Sequence, residues 1–269
     1  MSGGKTQRAR SRREGPGAFT LIELLVVISI IALLVALLLP VLHKSRQQAK
    51  AVVCQSRLHQ WAVMIHQYTS EWDGWFFHTW GPPPDYGQDR PGRHWYQALR
   101  PYYVNAHADR TKMLHCPAKT LYEGDGWVND VGYGLNAWLN DFGRAEGPGA
   151  VPHRDVDLFW KHVDQARTPS AVPVLLDFRM FYEGLPRATD APREVESALG
   201  FGWMSDFCET RHGSATNGVF LDWSVRKIDL KELWTLKWHR KYNTAGPWTT
   251  RGGVKPNDWP HWMRRFKDY

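Results

Sequence analysis

Cysteine is scarce in this chain, with three residues among 269. Cys54, Cys116 and Cys208 form no C-x-x-C pair, and none of them stands in the paired spacing of a zinc-ligand motif. The spacing therefore gives no sign of thiol redox chemistry, and it predicts no metal site and no cofactor. Three cysteines allow at most one intramolecular disulfide and leave one thiol over.

Catalytic motifs are also missing from the sequence. It contains no G-x-S-x-G, no H-E-x-x-H and no glycine-rich phosphate loop, and the G-Y-G of residues 132–134 lacks a preceding strand and a following helix. His212 and Ser214 stand near Asp206 and Asp222 in the sequence, but a catalytic triad is defined by geometry, and short polar clusters are usually turns. We therefore predict that the chain is not an enzyme.

Excess positive charge is concentrated at the N-terminus. The formal net charge is +7, of which residues 1–18, with five basic residues and one acidic residue, contribute +4. The remaining +3 is a weak excess for a chain of this length, and no basic recognition motif follows. The composition therefore argues against a nucleic-acid partner.

One long apolar run is present, from Phe19 to Leu39, with Glu23 as its only charge. It has about the twenty residues that a helix needs to cross a bilayer. A secretory signal would have a shorter apolar core and small residues at a cleavage site, whereas this run ends in Pro40. Five basic residues precede the run and three closely follow it, which favours a cytoplasmic N-terminus and a periplasmic remainder.

The string GAFTLIELLVVISIIALL resembles the N-terminus of type IV prepilins and type II secretion pseudopilins. In that family a prepilin peptidase cuts before an aromatic residue, and a glutamate stands fifth in the mature chain. Counted from Phe19, Glu23 is fifth and Pro40 is twenty-second, where many pilins have a helix-bending proline. The family usually has Gly before the cut, and this chain has Ala18. A cut after Gly17 would place Glu23 sixth, so we favour the bond between Ala18 and Phe19.

The resemblance implies a leader over residues 1–18, a Phe19 amino group that is methylated after cleavage, and assembly through the membrane helix. Its partners would be prepilin peptidase, other pilin-like subunits, an inner-membrane assembly platform and lipid. The Phe19 ammonium can pair with Glu23 of a neighbouring subunit, which would fix one stagger of the packed helices in a low dielectric. The alternative is an uncleaved signal anchor in which Glu23 reaches toward the membrane interface.

The stretch after Pro40 lacks glycine and proline until Gly74, and its apolar residues recur at helical spacing. This predicts an assembly helix over residues 19–40 that continues as an amphipathic helix over 41–70, followed by a globular domain over 71–269. The apolar run at 171–178 predicts a strand, and residues 217–228 predict two strands joined near Asp222. The predicted fold is α+β and pilin-like: the second half of the long helix packs on an antiparallel sheet, with loop-rich insertions.

Later strings resemble the large prepilin-type proteins of planctomycetes and verrucomicrobia. They are YTSEWDGWF at 68–76, HCPA from His115, YGLN from Tyr133, and RHGSATNGVFLDWSVRKI from Arg211. That group usually reads N-x-x-F-x-D-G-x-V near its end. The C-terminal hairpin motif here includes His212, Asn217, Phe220 and Asp222, but Trp223 replaces the turn glycine, which favours another turn type. If the domain is exported, its compartment permits a Cys116–Cys208 disulfide.

Two functions remain open at this point. The first is a non-catalytic subunit of a type II secretion pseudopilus or a type IV pilus-like filament. The second is a membrane-anchored module that uses the prepilin segment for export and binds surface polysaccharide or another ligand through its aromatic residues. The chain has 15 tryptophans, so the two functions can be distinguished by whether these are exposed or fill the core.

Overall fold

A computed structural model describes residues 20–77, 95–104, 113–118, 132–140, 156–179, 183–196 and 203–269. The chain divides into two compact units, Met1–Arg46 and Gln47–Tyr269. The predicted leader and the predicted cleavage residues Gly17, Ala18 and Phe19 lie outside the described residues. The predicted domain boundaries at residues 18, 40 and 70 stay predictions.

Helix α1 spans Leu21–Glu71 and contains Pro40. Pro40 removes one backbone donor, and α-helical structure nevertheless continues on both sides of it. The bend predicted at Pro40 stays a prediction. The helix ends where Asp73 and Gly74 both adopt positive φ angles, of 48° and 84°. The helical structure predicted over residues 41–70 is confirmed.

The two parts of α1 differ in burial. Every side chain from Thr20 to Lys50 is exposed. From Cys54 onward, one face of the helix is buried, and its residues recur at helical spacing, as an amphipathic helix requires. The buried residues are Cys54, Leu58, Trp61, Ala62, Met64, Ile65, Tyr68 and Thr69.

Five strands form one sheet among the described residues, in the order β3-β1-β2-β4-β5. Their bounds are β1 Tyr133–Asn136, β2 Pro173–Asp177, β3 Glu183–Gly184, β4 Ala215–Phe220 and β5 Val225–Asp229. The pairs β1–β2, β2–β4 and β4–β5 are antiparallel, which confirms the predicted α+β class. The edge strand β3 pairs with β1 in parallel, an arrangement that the sequence did not predict.

The predicted strand at 171–178 is β2, and the predicted strand pair at 217–228 is the β4–β5 hairpin. Residues 221–224 connect the two strands, and Trp223 among them adopts φ 66° in the left-handed region that favours glycine. Residue 223 therefore keeps a glycine-like conformation although it is a tryptophan. Asp222 accepts hydrogen bonds from the backbone and the hydroxyl of Ser224 at 3.0 and 2.6 Å, which helps to hold this turn.

Strands β2 and β4 are buried along their whole length, so both faces of the sheet are covered. The second half of α1 contacts these central strands: Gln55 donates to the amide oxygen of Asn217 on β4 at 3.0 Å. Short helices α2 (Trp95–Ala98), α3 (Arg100–Val104) and α4 (Trp203–Phe207) add to the core. The chain after β5 forms successive 3-10 turns that bury Trp234, Trp238 and Trp259.

Candidate functional site

The start of α1 is held by a local hydrogen-bond pair between Thr20 and Glu23. The Glu23 carboxylate accepts from the backbone N–H of Thr20 at 2.9 Å and from its hydroxyl at 2.7 Å. In return, the Glu23 backbone N–H donates to the Thr20 hydroxyl at 3.3 Å. This is the reciprocal arrangement of a capping box, in which residues three apart satisfy the free donors of a helix start. Glu23 therefore has a partner within its own chain.

The segment that follows exposes a large apolar surface, in which Glu23 and Ser29 are the polar residues between residues 21 and 39. Its large exposed side chains between residues 21 and 42 are Leu21, Ile22, Leu24, Leu25, Val26, Val27, Ile28, Ile30, Ile31, Leu33, Leu34, Val35, Leu37, Leu38, Leu39, Val41 and Leu42. Leaving so much apolar surface in water is unfavourable, so this surface requires a membrane or a protein partner.

α1 is the one helix in the described part of the chain that is long and apolar enough to span a bilayer. The apolar core helix of a soluble protein can pass the same test of length and composition, but such a helix is mostly buried. No residue of the apolar window in α1 is buried. The apolar part of α1 over residues 21–42, which we call its first half, is therefore a candidate membrane anchor.

A group of buried thiol, carboxyl and imidazole side chains lies inside the compact unit Gln47–Tyr269. The thiols of Cys54 and Cys116, a carboxylate oxygen of Asp177 and a ring nitrogen of His212 all lie within 4.8 Å of one another. Cys54 comes from α1, Asp177 from the end of β2, Cys116 from the segment 113–118, and His212 from the 3-10 turn that leads into β4. We call these four residues the thiol cluster.

The thiol cluster is closely packed and shielded from water. Cys54 Sγ is 3.2 Å from Asp177 Oδ1, Cys116 Sγ is 3.3 Å from His212 Nε2, and that nitrogen is 3.2 Å from Asp177 Oδ2. The side chains of Asp177 and His212 are 0% and 1% exposed. Polar groups buried in this way are stable only when they are paired with one another or with an ion.

Neighbouring groups fix the orientation of the cluster. The Tyr133 hydroxyl donates to Cys54 Sγ at 3.5 Å, and the backbone N–H of Asn217 donates to Asp177 Oδ2 at 2.9 Å. Arg211, which precedes His212, donates to the carbonyl oxygens of Gly132 and Phe178. A side chain at Gly132 would collide with the backbone nitrogen of Cys116, since a Cβ there would lie 2.5 Å from it. Gly132 therefore permits the approach of the segment that carries Cys116.

Mutual contacts shift the proton affinities within the cluster. Burial opposes ionisation of Asp177, but its contacts with His212, Arg211 and the Asn217 N–H outweigh burial and lower its pKa. Burial opposes protonation of His212, yet hydrogen bonds with Asp177 and Cys116 raise its pKa to about 9. The hydrogen bond with Cys54 is the main factor that lowers the pKa of Cys116, whereas burial raises the pKa of Cys54. These pKa shifts favour the ionised forms of the Cys116 thiol and the Asp177 carboxyl.

Residues of the predicted C-terminal hairpin motif occupy separate positions. His212 belongs to the thiol cluster, and Asn217 bonds both Gln55 and, through its backbone, Asp177. Phe220 is buried with the Arg226 guanidinium 4.1 Å from its ring centre, and Asp222 holds the hairpin turn. The structure therefore brings only part of this motif to the cluster.

The cysteine arrangement differs from the pairing considered from the sequence. All three cysteines are free thiols, and Cys116 lies beside Cys54. Cys208 is buried in the core outside this cluster. Asp206 and Asp222 are nearer to His212 in the sequence, but its carboxylate partner is Asp177, at the end of β2. The HCPA string was the one sequence signal that pointed toward Cys116.

Tryptophan burial bears on the alternative function as a ligand-binding module. Of the 13 tryptophans in the described residues, only Trp75 and Trp203 are exposed, at 39% and 40%. Seven are buried: Trp61, Trp95, Trp138, Trp160, Trp234, Trp238 and Trp259. Most of the described tryptophans therefore fill the core or pack against it, so they do not form an aromatic binding surface.

No protein-family model matches this chain, and no curated protein or solved structure matches it either. Its function is therefore inferred from its own residues, among which the exposed apolar half of α1 and the thiol cluster are the two candidate sites.

Proposed function

We propose that this chain is a non-catalytic, membrane-anchored pilin-like subunit that prepilin peptidase processes between Ala18 and Phe19. The mature protein would assemble with other pilin-like subunits into a secretion pseudopilus or a pilus-like filament. Its compact unit would lie in the periplasm or on the filament surface. The observation that carries this proposal is the large exposed apolar surface of the first half of α1.

The apolar surface supports both stages of such a function. In lipid, each side chain of this half of α1 has an apolar environment, because the segment matches the thickness of a bilayer core. In a filament, the same side chains would pack against equivalent helices of other subunits. The second half of α1 is committed to the core of its own chain through Cys54, Trp61 and Ile65, so it would hold the compact unit on the assembled helices.

Glu23 has two roles in this proposal. Before assembly, its carboxylate is satisfied by Thr20, which lowers the cost of placing it near lipid. Cleavage before Phe19 would make its ammonium the new N-terminus, with Glu23 as the fifth residue of the mature chain. In an assembled array, exchange of the local partner for the ammonium of a neighbouring subunit would set the stagger between the helices.

The alternative is a surface-binding module that uses the prepilin segment for export alone. It would need exposed aromatic side chains to contact a ligand. Trp75 and Trp203 are the exposed tryptophans among the described residues, and they are too few to favour this function over assembly. The proposal therefore retains the assembly function.

Processing can be tested by co-producing the full chain with an active prepilin peptidase or with an inactive variant of that enzyme. We expect mass spectrometry to find a methylated Phe19 as the N-terminus with the active enzyme only. Ala18→Gly, which restores the usual family residue, should be cut at the same bond, whereas Ala18→Val should block cleavage by its bulk. An intact N-terminus in the presence of active peptidase would contradict the proposal.

A further inference from the structure

The thiol cluster lies outside the segment that carries the proposed function, and its geometry points to a bound metal. We propose that Cys54, Cys116, Asp177 and His212 bind one Zn²⁺ ion in a closed tetrahedral site that stabilises the compact unit. Four different segments supply the four ligands, and the ligand atoms all lie within 4.8 Å of one another. This site is independent of the proposed assembly function.

The spacing of the ligand atoms fits zinc. Zinc binds cysteine sulfur at about 2.3 Å and histidine nitrogen or carboxylate oxygen at about 2.0–2.2 Å, so the edges of a tetrahedral site measure roughly 3.3–3.8 Å. Cys116 Sγ is 3.3 Å from His212 Nε2, and Asp177 approaches Cys54 Sγ through Oδ1 and His212 Nε2 through Oδ2, each at 3.2 Å. With one ligand atom from each residue, no two ligand atoms are more than 4.8 Å apart, so the side chains would need to move by at most about 1 Å to surround an ion.

The ligand atoms of the thiol cluster favour zinc over calcium and magnesium. Ca²⁺ and Mg²⁺ are hard cations that require oxygen ligands, so a set with two sulfurs and one imidazole nitrogen does not suit them. Zn²⁺ accepts sulfur, nitrogen and oxygen ligands in one tetrahedral site. With four ligands from the protein, no position remains open for water or substrate, so the site is structural instead of catalytic.

The charge balance is also favourable. Cys54 and Cys116 bind as thiolates and His212 binds as a neutral imidazole through Nε2, so any protons that these three groups carry are released on binding. Two thiolates and the Asp177 carboxylate then exceed the charge of Zn²⁺ by one negative charge. The Arg211 guanidinium, whose side chain is 7% exposed, interacts electrostatically with Asp177 and offsets part of this excess, because it also pairs with Glu209 at 3.8 Å.

Groups around the cluster can orient the ligands. The Tyr133 hydroxyl faces Cys54 Sγ, and the N–H of Asn217 holds Asp177 Oδ2, which leaves Oδ1 turned toward Cys54. Hydrogen bonds of this kind to metal ligands raise affinity by fixing the ligand in its binding geometry. The same four segments would then be tied together through the ion, including the segment 113–118, which reaches α1 also through the bond from Trp61 to Met113 at 2.9 Å.

The proposal can be tested by measuring the zinc content of the full chain, purified in detergent without chelators or an affinity tag. We expect about one zinc per chain by elemental mass spectrometry, as a four-ligand structural site requires. Cys54→Ser, Asp177→Asn and His212→Gln should each lose most of this zinc. Cys208→Ser is the matched control, because it removes a buried thiol outside the cluster and should retain zinc as the wild type does.

A second measurement uses the unmodified chain, so that a variant that fails to fold does not decide the outcome. After removal of zinc, we expect titration with Co²⁺ to give the intense visible absorption of a tetrahedral site and the sulfur-to-cobalt charge-transfer band of thiolate ligands. Tyr133→Phe should weaken zinc binding by about 10-fold, as loss of an outer hydrogen bond typically does. A purified wild-type chain without zinc that gives no such cobalt spectrum would overturn the proposal. A Cys54–Cys116 disulfide, seen as the loss of two hydrogens by mass spectrometry, would also overturn it.

Discussion

The two compact units of this chain differ in the burial of their apolar side chains. In the described part of Met1–Arg46, every side chain is exposed, although 20 of these 27 residues are apolar. In Gln47–Tyr269, the apolar side chains on one face of α1 join one large core, and even polar residues such as Asp177, Asn136 and Lys231 are buried. Both behaviours occur along the single helix α1.

This contrast indicates where each unit finds its stabilising partners. The buried unit pairs many of its polar core groups within the chain, as Asn136 is paired with the carbonyls of Pro173 and Trp238 at 2.9 Å. In the described residues of Met1–Arg46, Thr20 and Glu23 satisfy the helix start, and the apolar surface is left for a partner outside the chain. A mutation should therefore affect folding in one unit and insertion or assembly in the other.

The largest effect is expected from a cavity in the buried half of α1. Trp61 is fully buried, its ring packs edge-on against Trp95 and Tyr103 at 5.0 and 5.3 Å, and its indole N–H donates to the Met113 carbonyl. Trp61→Ala should lower the free energy of unfolding by about 3–5 kcal/mol. Urea unfolding of the full chain in detergent measures this.

The control is Val63→Ala, at a 54% exposed position on the same helix, which should change the free energy of unfolding by less than about 0.5 kcal/mol. If Trp61→Ala and Val63→Ala lower the free energy of unfolding equally, the buried and exposed faces of α1 do not differ in their contribution to folding.

A charge in the exposed half should act on insertion alone. Ile30 is near the middle of the apolar segment and is exposed. Ile30→Arg should cost about 3 kcal/mol of insertion free energy, which shifts the protein from the membrane fraction to the soluble fraction. Urea unfolding of the compact unit should not change. Ile30→Leu is the control and should remain in the membrane. If Ile30→Arg stays fully inserted, the segment does not span the bilayer.

A buried carboxyl should make the stability of the second unit depend on pH. Burial raises the pKa of Asp206 to about 7, since the nearby Arg193 and Arg179 offset it only partly. The unfolded chain ionises this group near pH 4 while the folded chain keeps its proton, so wild-type stability falls as the pH rises from about 4 to 7.

Asp206→Asn should abolish this loss. We expect it to stabilise the chain by roughly 2 kcal/mol at pH 8 and to have little effect at pH 4, because the loss of attraction to the arginines offsets part of the gain. Unfolding at both pH values measures the difference. A larger stabilisation at pH 4 than at pH 8 would show that Asp206 is ionised in the folded chain.

The smallest energetic effect, and the one that best separates the two roles of Glu23, comes from three variants at the start of α1. Thr20→Ala removes the cap at a cost of about 0.5–2 kcal/mol of local helix stability but keeps the charge. Glu23→Gln keeps a capping side chain but removes the charge. Glu23→Ala removes both.

If Glu23 sets the register between subunits, Glu23→Gln and Glu23→Ala should both impair incorporation into filaments while membrane insertion continues, and Thr20→Ala should assemble normally. Quantitative immunoblotting of filament and membrane fractions measures this. If Thr20→Ala is as defective as Glu23→Ala and Glu23→Gln is normal, Glu23 acts only as a helix cap.

Local patterns were sufficient to predict α1, β2 and the β4–β5 hairpin, because each depends on periodicity and turn residues within a short stretch. The parallel edge strand β3 escaped prediction because it has two residues and no periodicity of its own. The capping box at Thr20 could have been predicted, because T-x-x-E is the sequence signature of that arrangement.

The thiol cluster could not be predicted from spacing. Cys54 and Asp177 are 123 residues apart, and Cys116 and His212 are 96 apart. Only the packing of α1 and segment 113–118 around the end of β2 brings them together. Motifs with short ligand spacing are recognisable because one loop holds two ligands, whereas each ligand here belongs to a different segment.

The proposal that the exposed half of α1 is an assembly surface is tested most directly in filaments sheared from cells that produce the protein. The chain should be detected there by mass spectrometry and by immunogold labelling, with Phe19 as its N-terminus. The Ile30→Leu control should be present and Glu23→Gln strongly depleted. A processed chain that stays in the membrane fraction and is missing from the filaments would contradict the assembly function.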